Sequence, residues 1–510
     1  MAPRLLRFAI AVSGLAFATL AILTPGGASR AGDSLQGDAD CNGLIGGSDA
    51  LAVIIAVATE NSPECDFAAD IDCDGDVDEA DALGILRHVG GIISNTADDG
   101  CTPIGQPLHL DTPPPSDPPT IVETPTPTVT PTPTPSAPPT PTNPPTTPIA
   151  DGYGLQEVLA KAQLGVAGTD KVELAMIPSV ESQAILALQT GQIFRISLTN
   201  SFAPVLWGNL TTLVNFDGNE QGLLSVALSP NFDGSGEVFA YYSVPDPRPA
   251  NPWFTYLARF TATTNELHEA SRETVIEIEE FDHRHQGGHI VFDFDDNLLL
   301  SLGDGGFSGD ALEAAQNLNR LLGKVIRIDV SPLPYTIPPS NPFVGVGGGV
   351  REEIFAYGFR NPWRMTIDSA TGEIWLGDVG EGKWEEVNHV VAGGNYGWDC
   401  FEGHEVFETP GPNDMCEGPF VTPRAVYGHN LGIAIIGGYV YRGSAMPELN
   451  GWYVYADYFT ARVWAVNTAD DGDPILLHDA DCCITSFAED DDGELLIVSK
   501  DEGIHRLVRN

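Results

Sequence analysis

Two stretches of this chain repeat a spacing that suits a hard cation. Asp38, Asp40 and Asn42 precede Gly43 and Leu44, and Asp49 follows. Asp70, Asp72 and Asp74 precede Gly75 and Asp76, and Asp81 follows. Each copy puts oxygen side chains at loop positions 1, 3 and 5, Gly at 6 for the sharp turn, a backbone carbonyl at 7 (Leu44, Asp76) and an acid at 12. Calcium takes six to eight oxygen ligands, and this spacing wraps one loop around one ion. Further along, a second set could move protons and hold anions. His285 stands in HQGGHI, Asp304 in SLGDGG, and Arg360-Asn361 in YGFRNPWRM. A neutral imidazole can act as a base near pH 7, and a guanidinium can clamp a carboxylate with two parallel bonds. His283, His285 and His289 are close enough in sequence to form a metal cluster instead.

The elements around these residues divide the chain. Arg4 and Arg7, the apolar run Phe8–Leu23 and the small residues of Ala28-Ser29-Arg30-Ala31 make residues 1–31 a secretory signal peptide. The alternative is an uncleaved membrane anchor, but the run is short for a span. The expected location is secreted, and no later segment is long and apolar enough to cross a bilayer. Residues 32–101 carry the acidic repeat, and residues 102–150 are almost wholly Pro, Thr and Ser. Proline holds such a segment near polyproline II, as a semi-rigid spacer. With 71 Asp+Glu against 24 Lys+Arg, the formal net charge is -47. That excludes nucleic acid as an expected partner and suits cation binding.

Eight cysteines in an exported chain suggest disulfides. Cys41–Cys65 and Cys73–Cys101 is the simplest pairing in the repeat, and Cys400 and Cys416 bracket a loop. Adjacent Cys482 and Cys483 could be a vicinal disulfide or two buried thiols. After each acidic loop comes a helical pattern, Leu51, Ile54, Ile55 and Leu83, Leu86, Val89, without a good incoming helix. This duplicated loop-plus-helix, with Asp at position 12, resembles the type I dockerin family, a small α-helical, EF-hand-like calcium domain. The resemblance implies calcium-dependent folding and docking to a cohesin module or back onto the same chain.

Residues 151–510 repeat one unit: a short apolar strand, an Asp/Gly turn, a second strand. LLSVALSPNFDGSGEVFAYYSV, HIVFDFDDNLLLSLGDGG, RMTIDSATGEIWLGDVG and ITSFAEDDDGELLIVSKDEG are examples. Such turns favour hairpins, and many hairpins over this length predict a mainly β chain closed as a propeller. One helix is expected within Asp310–Leu322. EQGLLSVALSPNF (220–232), HQGGHIVFD (285–293), SLGDGG (301–306), LNRLLGKVIRIDV (318–330), YGFRNPWRM (357–365), GDVGEGKWEEVN (377–388) and GGNYGW (393–398) occur in that order. Together they resemble the glucose/sorbosone dehydrogenase family of six-bladed β-propellers. Its characterised enzymes use pyrroloquinoline quinone (PQQ) and calcium.

That resemblance implies roles. His285 matches the catalytic base, and Arg360 and Asn361 the paired cofactor contacts. Asp304 matches an acid near the site. Glu220 falls where the sugar enzyme has a polar amide beside the quinone. Gly380 and Glu381 match two backbone carbonyls that hold a further calcium. Oxidising an anomeric carbon needs a base for the hydroxyl proton and an acceptor for the hydride. No GxGxxG lies between a strand and a helix, so NAD is not expected. PQQ is a tricarboxylate whose site needs cations, backbone donors and usually a metal.

The chain also departs from the glucose enzymes. They place a Lys and an Arg pair in the last two blades to hold the PQQ carboxylates. YADYFTARVWAV (455–466) and DADCCITSFAEDD (479–491) lack them in register, with Arg462 and Lys500 only nearby, and Arg284 stands where the glucose enzyme has an Asp. The GDVG…WEEVN form is closer to hedgehog-interacting-protein-like propellers, which need not bind PQQ. Two function classes therefore stand. One is a secreted PQQ-dependent aldose dehydrogenase acting on an aldose or oligosaccharide. The other is a non-catalytic propeller that binds a glycan or a protein. A calcium-dependent propeller hydrolase would need carboxylate and Asn ligands converging on the axis, and the sequence identifies no such set.

Overall fold

The computed structural model describes residues 152–510 and Pro144, apart from 166–170, 217–219, 245–252, 408–414, 417, 471, 480–482 and 501. The signal peptide, both acidic loops and, apart from Pro144, the spacer lie outside the described residues.

Six four-stranded antiparallel sheets follow one another around a ring. Strand β1 (Tyr153–Ala160) is set aside for closure. The first blade is β2 (Lys171–Met176), β3 (Gln183–Leu188), β4 (Gln192–Ser197) and β5 (Val205–Asn209). The second is β6 (Leu223–Leu228), β7 (Glu237–Val244), β8 (Trp253–Ala262) and β9 (Leu267–Glu280). The third is β10 (Ile290–Phe292), β11 (Leu298–Leu302), β12 (Lys324–Ile328) and β13 (Ile354–Tyr357). The fourth is β14 (Pro362–Ile367), β15 (Ile374–Asp378) and β16 (Trp384–Val390), completed by β19 (Ala425–Gly428). Between the last two lies a small hairpin of β17 (Phe401–Glu402) and β18 (Glu405–Val406). The fifth is β20 (Ile435–Val440), β21 (Trp452–Asp457), β22 (Arg462–Asn467) and β23 (Ile475–Asp479). The sixth takes β24 (Ile484–Glu489), β25 (Leu495–Ser499) and β26 (Gly503–Arg509) from the C-terminus and β1 as its outermost strand, with Tyr153 opposite Arg509. One blade built from both ends of the segment closes the ring by β-ladder hydrogen bonds, which leaves no open gap between first and last blade.

The strands form because their apolar positions can all be buried between blades. Val238, Ala240, Leu298, Leu300, Ile326, Val454, Leu495 and Ile497 are fully buried. Burial of this apolar surface supplies the main driving force. The Asp/Gly turns are built alike. The Asp490 carboxylate accepts the N–H of Asp492 at 3.0 Å and of Glu494 at 2.9 Å, and Asp293 does the same for Asp295 and Asn297, each at 2.9 Å. Such side-chain caps replace backbone partners in a tight turn. All four hairpins expected from the sequence are present.

The first strands of the blades pack in a closed ring about the axis. They carry a buried polar cluster there. Glu173 accepts from Ser225 at 2.8 Å and lies 3.1 Å from His289 Nε2, while His289 Nδ1 accepts the Met365 N–H at 3.1 Å. Arg364, also buried, donates to the Val172 carbonyl. His289 therefore has a structural role.

The helix expected within Asp310–Leu322 does not form. A short 3-10 turn, Ser308–Asp310, is followed by irregular turns. Asp310 and Glu313 have φ of 43° and 51°, outside the helical region. The Asp310 carboxylate takes the N–H of Ala314 at 3.0 Å and of Ala315 at 2.7 Å. The buried Lys324 ammonium takes the carbonyls of Ala314, Ala315 and Leu322 at 2.7–2.9 Å. Two buried polar side chains thus satisfy backbone groups that a helix would have paired.

Candidate active site

His285 sits in the loop between β9 and β10, in the left-handed region with φ 55°. Its N–H donates to Glu220 Oε2 at 2.6 Å, and its Nδ1 lies 2.7 Å from Asp304 Oδ1. The backbone crossing beneath it is tight. A Cβ on Gly303 would lie 1.7 Å from the His285 carbonyl oxygen. Gly303→Ala is therefore expected to destabilise the protein by about 2–3 kcal/mol, read as a lower Tm in calorimetry. An unchanged Tm would mean that this crossing is slack.

Asp304 is fully buried. Its Oδ2 accepts Trp398 Nε1–H at 2.8 Å and its Oδ1 accepts Gly306 N–H at 2.9 Å. Burial, reinforced by Arg360, pushes the His285 imidazole down to about 4, so the ring is neutral at neutral pH. Burial pushes the Asp304 carboxyl up to about 8, while Arg360, Trp398 and Gly306 pull it down. A protonated Asp304 would donate to Nδ1 and leave the ring proton on Nε2. Trp398 Nε1–H and Gly306 N–H donate to the Asp304 oxygens and Arg360 adds its charge, all of which oppose the effect of burial. An Asp304 carboxylate would hold the proton on Nδ1 and leave Nε2 with a lone pair.

Arg360 and Asn361 precede β14, and the buried Asp378 fixes their backbone. Its two oxygens accept Arg360 N–H at 3.0 Å and Asn361 N–H at 2.7 Å. The Asn361 amide bridges two loops, donating to Glu220 Oε2 at 3.1 Å and accepting Gly287 N–H at 3.0 Å. The Arg360 guanidinium donates to Glu381 Oε2 through both Nε and a terminal nitrogen, and to the Val379 carbonyl at 3.0 Å. It also lies over the Trp398 ring, 5.6 Å from the centroid. Glu381 thus meets Arg360 through its side chain.

The loop carrying Gly380 and Glu381 folds around Glu402. Oε1 of that residue accepts the N–H of Glu381, Gly382, Lys383 and Trp384 at 2.8–3.1 Å. In a trans peptide the preceding carbonyl points the opposite way. The carbonyls of Gly380 and Glu381 therefore face away from Glu402, an arrangement that fits ligation of a cation by backbone oxygens.

A cavity of about 480 Å³ adjoins this cluster. Its wall includes Gln189, Glu220, Asn361, Trp363, Tyr458 and Lys500. Glu220 and Asn361 belong to both cavity and cluster, whereas His285, Asp304 and Arg360 do not line the cavity, His285 being joined to it through its N–H bond to Glu220. Lys500 alters the expectation about missing cations. Although out of register in sequence, it reaches the cavity wall and donates to Tyr458 O–H at 3.1 Å. The buried Lys171 fixes its backbone, with Nζ 2.9 Å from the Ser499 carbonyl and 2.8 Å from the Lys500 carbonyl. Arg462 instead donates to the Leu431 carbonyl at 2.8 Å and pairs with Asp479 at 3.4 Å. The cavity has room for a planar ring, and its wall carries one cation, Lys500, among the described residues, together with the Asn361 amide and the Glu220 carboxylate.

The three histidines do not converge. His283 pairs with Asp282 at 3.0 Å, half exposed, while His285 and His289 have the separate partners given above. Among the described residues, one group of three donors lies close enough to share a metal: Asp399, Cys400 and Cys416. Cys400 and Cys416 form a disulfide, as their spacing suggested, and so offer no thiolate. Cys483 is also disulfide-bonded. Trp398, Asp378 and Glu402 were not singled out from sequence. Trp398 and Asp378 stand inside GGNYGW and GDVG, so their motifs were visible but their partners were not.

Residues 171–509 match the profile of the family described as Glucose / Sorbosone dehydrogenase. HIPL1 protein of Arabidopsis thaliana is 29% identical over 59% of this chain and 55% of its own length. The human Hedgehog-interacting protein is 26% identical over 56% of this chain and 42% of its own. Aldose sugar dehydrogenase YliI of Escherichia coli is 32% identical over 35% of this chain and 46% of its own. The chain thus spans about half the length of these curated relatives. The structure of the PQQ-bound form of an aldose sugar dehydrogenase from Streptomyces coelicolor shares the fold. Its TM-score is 0.54 at 20% identity, covering 71% of this chain and 99% of that one.

Proposed function

Because the chain belongs to the Glucose / Sorbosone dehydrogenase family, we propose that it is a secreted, PQQ-dependent aldose dehydrogenase carried with a calcium-binding dockerin-like module. The observation that carries this reading is the His285–Asp304 pair, held at 2.7 Å beside the cavity of about 480 Å³. Asp304 keeps the proton on Nδ1, and Nε2 takes the anomeric hydroxyl proton of the sugar. PQQ, when bound, supplies the acceptor for the hydride. Asn361 and Lys500 would hold its polar edge, and Arg360 would add positive charge near the reacting end. The carbonyls of Gly380 and Glu381 would hold calcium. The anomeric hydroxyl loses its proton to the base and C1 loses its hydride to the acceptor, so the C1–O1 bond becomes a carbonyl and the aldose becomes the lactone.

Purified protein given PQQ and calcium is expected to reduce a redox dye when aldoses are added. No dye reduction and no calorimetric PQQ binding would overturn the reading. Lys500→Met is expected to weaken PQQ binding about tenfold, the scale of one charge-assisted contact. Titration calorimetry reads this directly, and an unchanged Kd would remove Lys500 from the cofactor site.

One observation favours a second reading. The Arg360 guanidinium is already taken by Glu381 and the Val379 carbonyl, so among the described residues Lys500 is the one cationic side chain that lines the cavity a trianionic cofactor would enter. A propeller that binds a glycan or protein without turnover accords with that pairing and with the Hedgehog-interacting relatives. PQQ binding separates the two readings.

A further inference from the structure

The Cys400–Cys416 disulfide has a third donor beside it. The Asp399 carboxylate oxygen and the two sulfurs all lie within 4.8 Å of one another. While the disulfide is intact, neither sulfur is a thiolate. Reduction changes this, because a thiolate binds zinc strongly. The two sulfurs must then stay together once the bond between them is gone.

Both ends of the bridge are held by contacts that involve no sulfur. Asp399 and Cys400 are buried, 5% and 1% exposed. Just before them, Trp398 N–H donates to the Gly358 carbonyl at 3.0 Å, and the Trp398 carbonyl accepts Gln316 Nε2–H at 2.6 Å. Just after them, the Cys400 carbonyl accepts Phe407 N–H at 3.0 Å, and Phe401 N–H donates to the Gly397 carbonyl at 2.8 Å. Cys416 is half-buried, and the chain is pinned again a few residues on. Phe420 packs against Phe401 with centroids 5.0 Å apart, and Val421 N–H donates to the Asn395 carbonyl at 2.7 Å.

We propose that the reduced form of this loop is a zinc site, with the Cys400 and Cys416 thiolates and the Asp399 carboxylate as ligands and water in the fourth position. The proposal does not depend on what the central cavity binds. A dithiol supplies two electrons and two protons and itself closes to a disulfide. The Cys400–Cys416 S–S bond breaks and two S–H bonds form. Zinc then displaces both thiol protons and forms two Zn–S bonds. Tetrahedral zinc, with bonds of about 2.0–2.3 Å, sets its ligand atoms about 3.5–3.8 Å apart. The two Cα atoms lie 5.7 Å apart, so side-chain rotation is enough to place the sulfurs at that spacing. Two thiolates make the set soft, which selects zinc over calcium. Two thiolates and a carboxylate would repel one another in a buried position, and a divalent cation offsets most of that charge. Zinc would thus close, under reducing conditions, the loop that the disulfide closes under oxidising ones.

Cobalt(II) is the probe, because thiolate ligation gives it a charge-transfer band in the near ultraviolet. The full chain is reduced with a trialkylphosphine and titrated with cobalt, then with zinc. Wild type is expected to show one more thiolate-bound equivalent than the double variant Cys400→Ser, Cys416→Ser, and zinc should displace it. Oxidised protein should show none. Asp399→Asn should weaken binding by more than the roughly 10-fold that loss of an outer-shell partner costs. The wild-type chain alone gives a second measurement. Zinc should slow alkylation of Cys416 in the reduced protein, mapped by mass spectrometry. Absence of a band that needs both cysteines, unslowed alkylation, or loss of the native near-ultraviolet circular dichroism on reduction would overturn the site. Unchanged affinity in Asp399→Asn would overturn the three-ligand assignment.

Discussion

Replacing His285 with Ala in PQQ- and calcium-supplied protein is expected to lower kcat for aldose oxidation on the order of 10³-fold, the usual scale for loss of a positioned base. The reason is geometric. The imidazole is buried and neutral, and one nitrogen is committed to Asp304 at 2.7 Å. The other is left as the acceptor. Global destabilisation of about 1–3 kcal/mol should accompany the change, because Ala keeps the backbone N–H contact with Glu220 but leaves the buried Asp304 without its imidazole partner. Stopped-flow dye reduction and a thermal melt on the same sample check both halves. Retention of most of the activity would assign the base elsewhere while leaving the cofactor proposal intact.

Asp304→Asn is expected to cost nearly as much, through a different route. An amide at that position can donate to Nδ1, which would drive the ring proton onto Nε2 and turn the base into a donor. Asp304→Glu should recover part of the activity if charge and hydrogen bonding are what matter. The pH profile adds an independent readout. Protonating His285 removes the lone pair, so activity is present above its folded pKa and lost as pH falls through it. With that pKa pushed down to about 4, the acid limb should lie near 4, well below the ordinary histidine range. A limb near 8 would instead report Asp304 held protonated by burial at neutral pH. That result would refute the tautomer assigned above.

Several features were legible in the residues alone. Hairpins appeared where apolar strands flank Asp/Gly turns, because an Asp side chain caps such a turn locally. Asp490 and Asp293 do this with neighbours at most four residues away. The Cys400–Cys416 bridge was legible for the same reason of short range. Family motifs also located His285, Asp304, Arg360 and Asn361, which the fold brings into one cluster.

Long-range contacts decided the rest. The stretch 310–322 reads as a helix until the Lys324 ammonium claims three of its carbonyls, a competition invisible to local periodicity. Lys500 seemed out of place in register, yet closure of the sixth blade brings it to the same cavity as Glu220 from the second. Arg360 seemed free to meet a ligand, yet it pairs with Glu381, twenty-one positions on. The sequence by itself determined the repeating strand pattern, the acidic spacing at 38–81 and the residue types for proton transfer. Which of those residues face one cavity, and which are spent on one another, followed only from closing the ring. That closure sets the distances between loops of different blades, and charges act through space rather than along the chain.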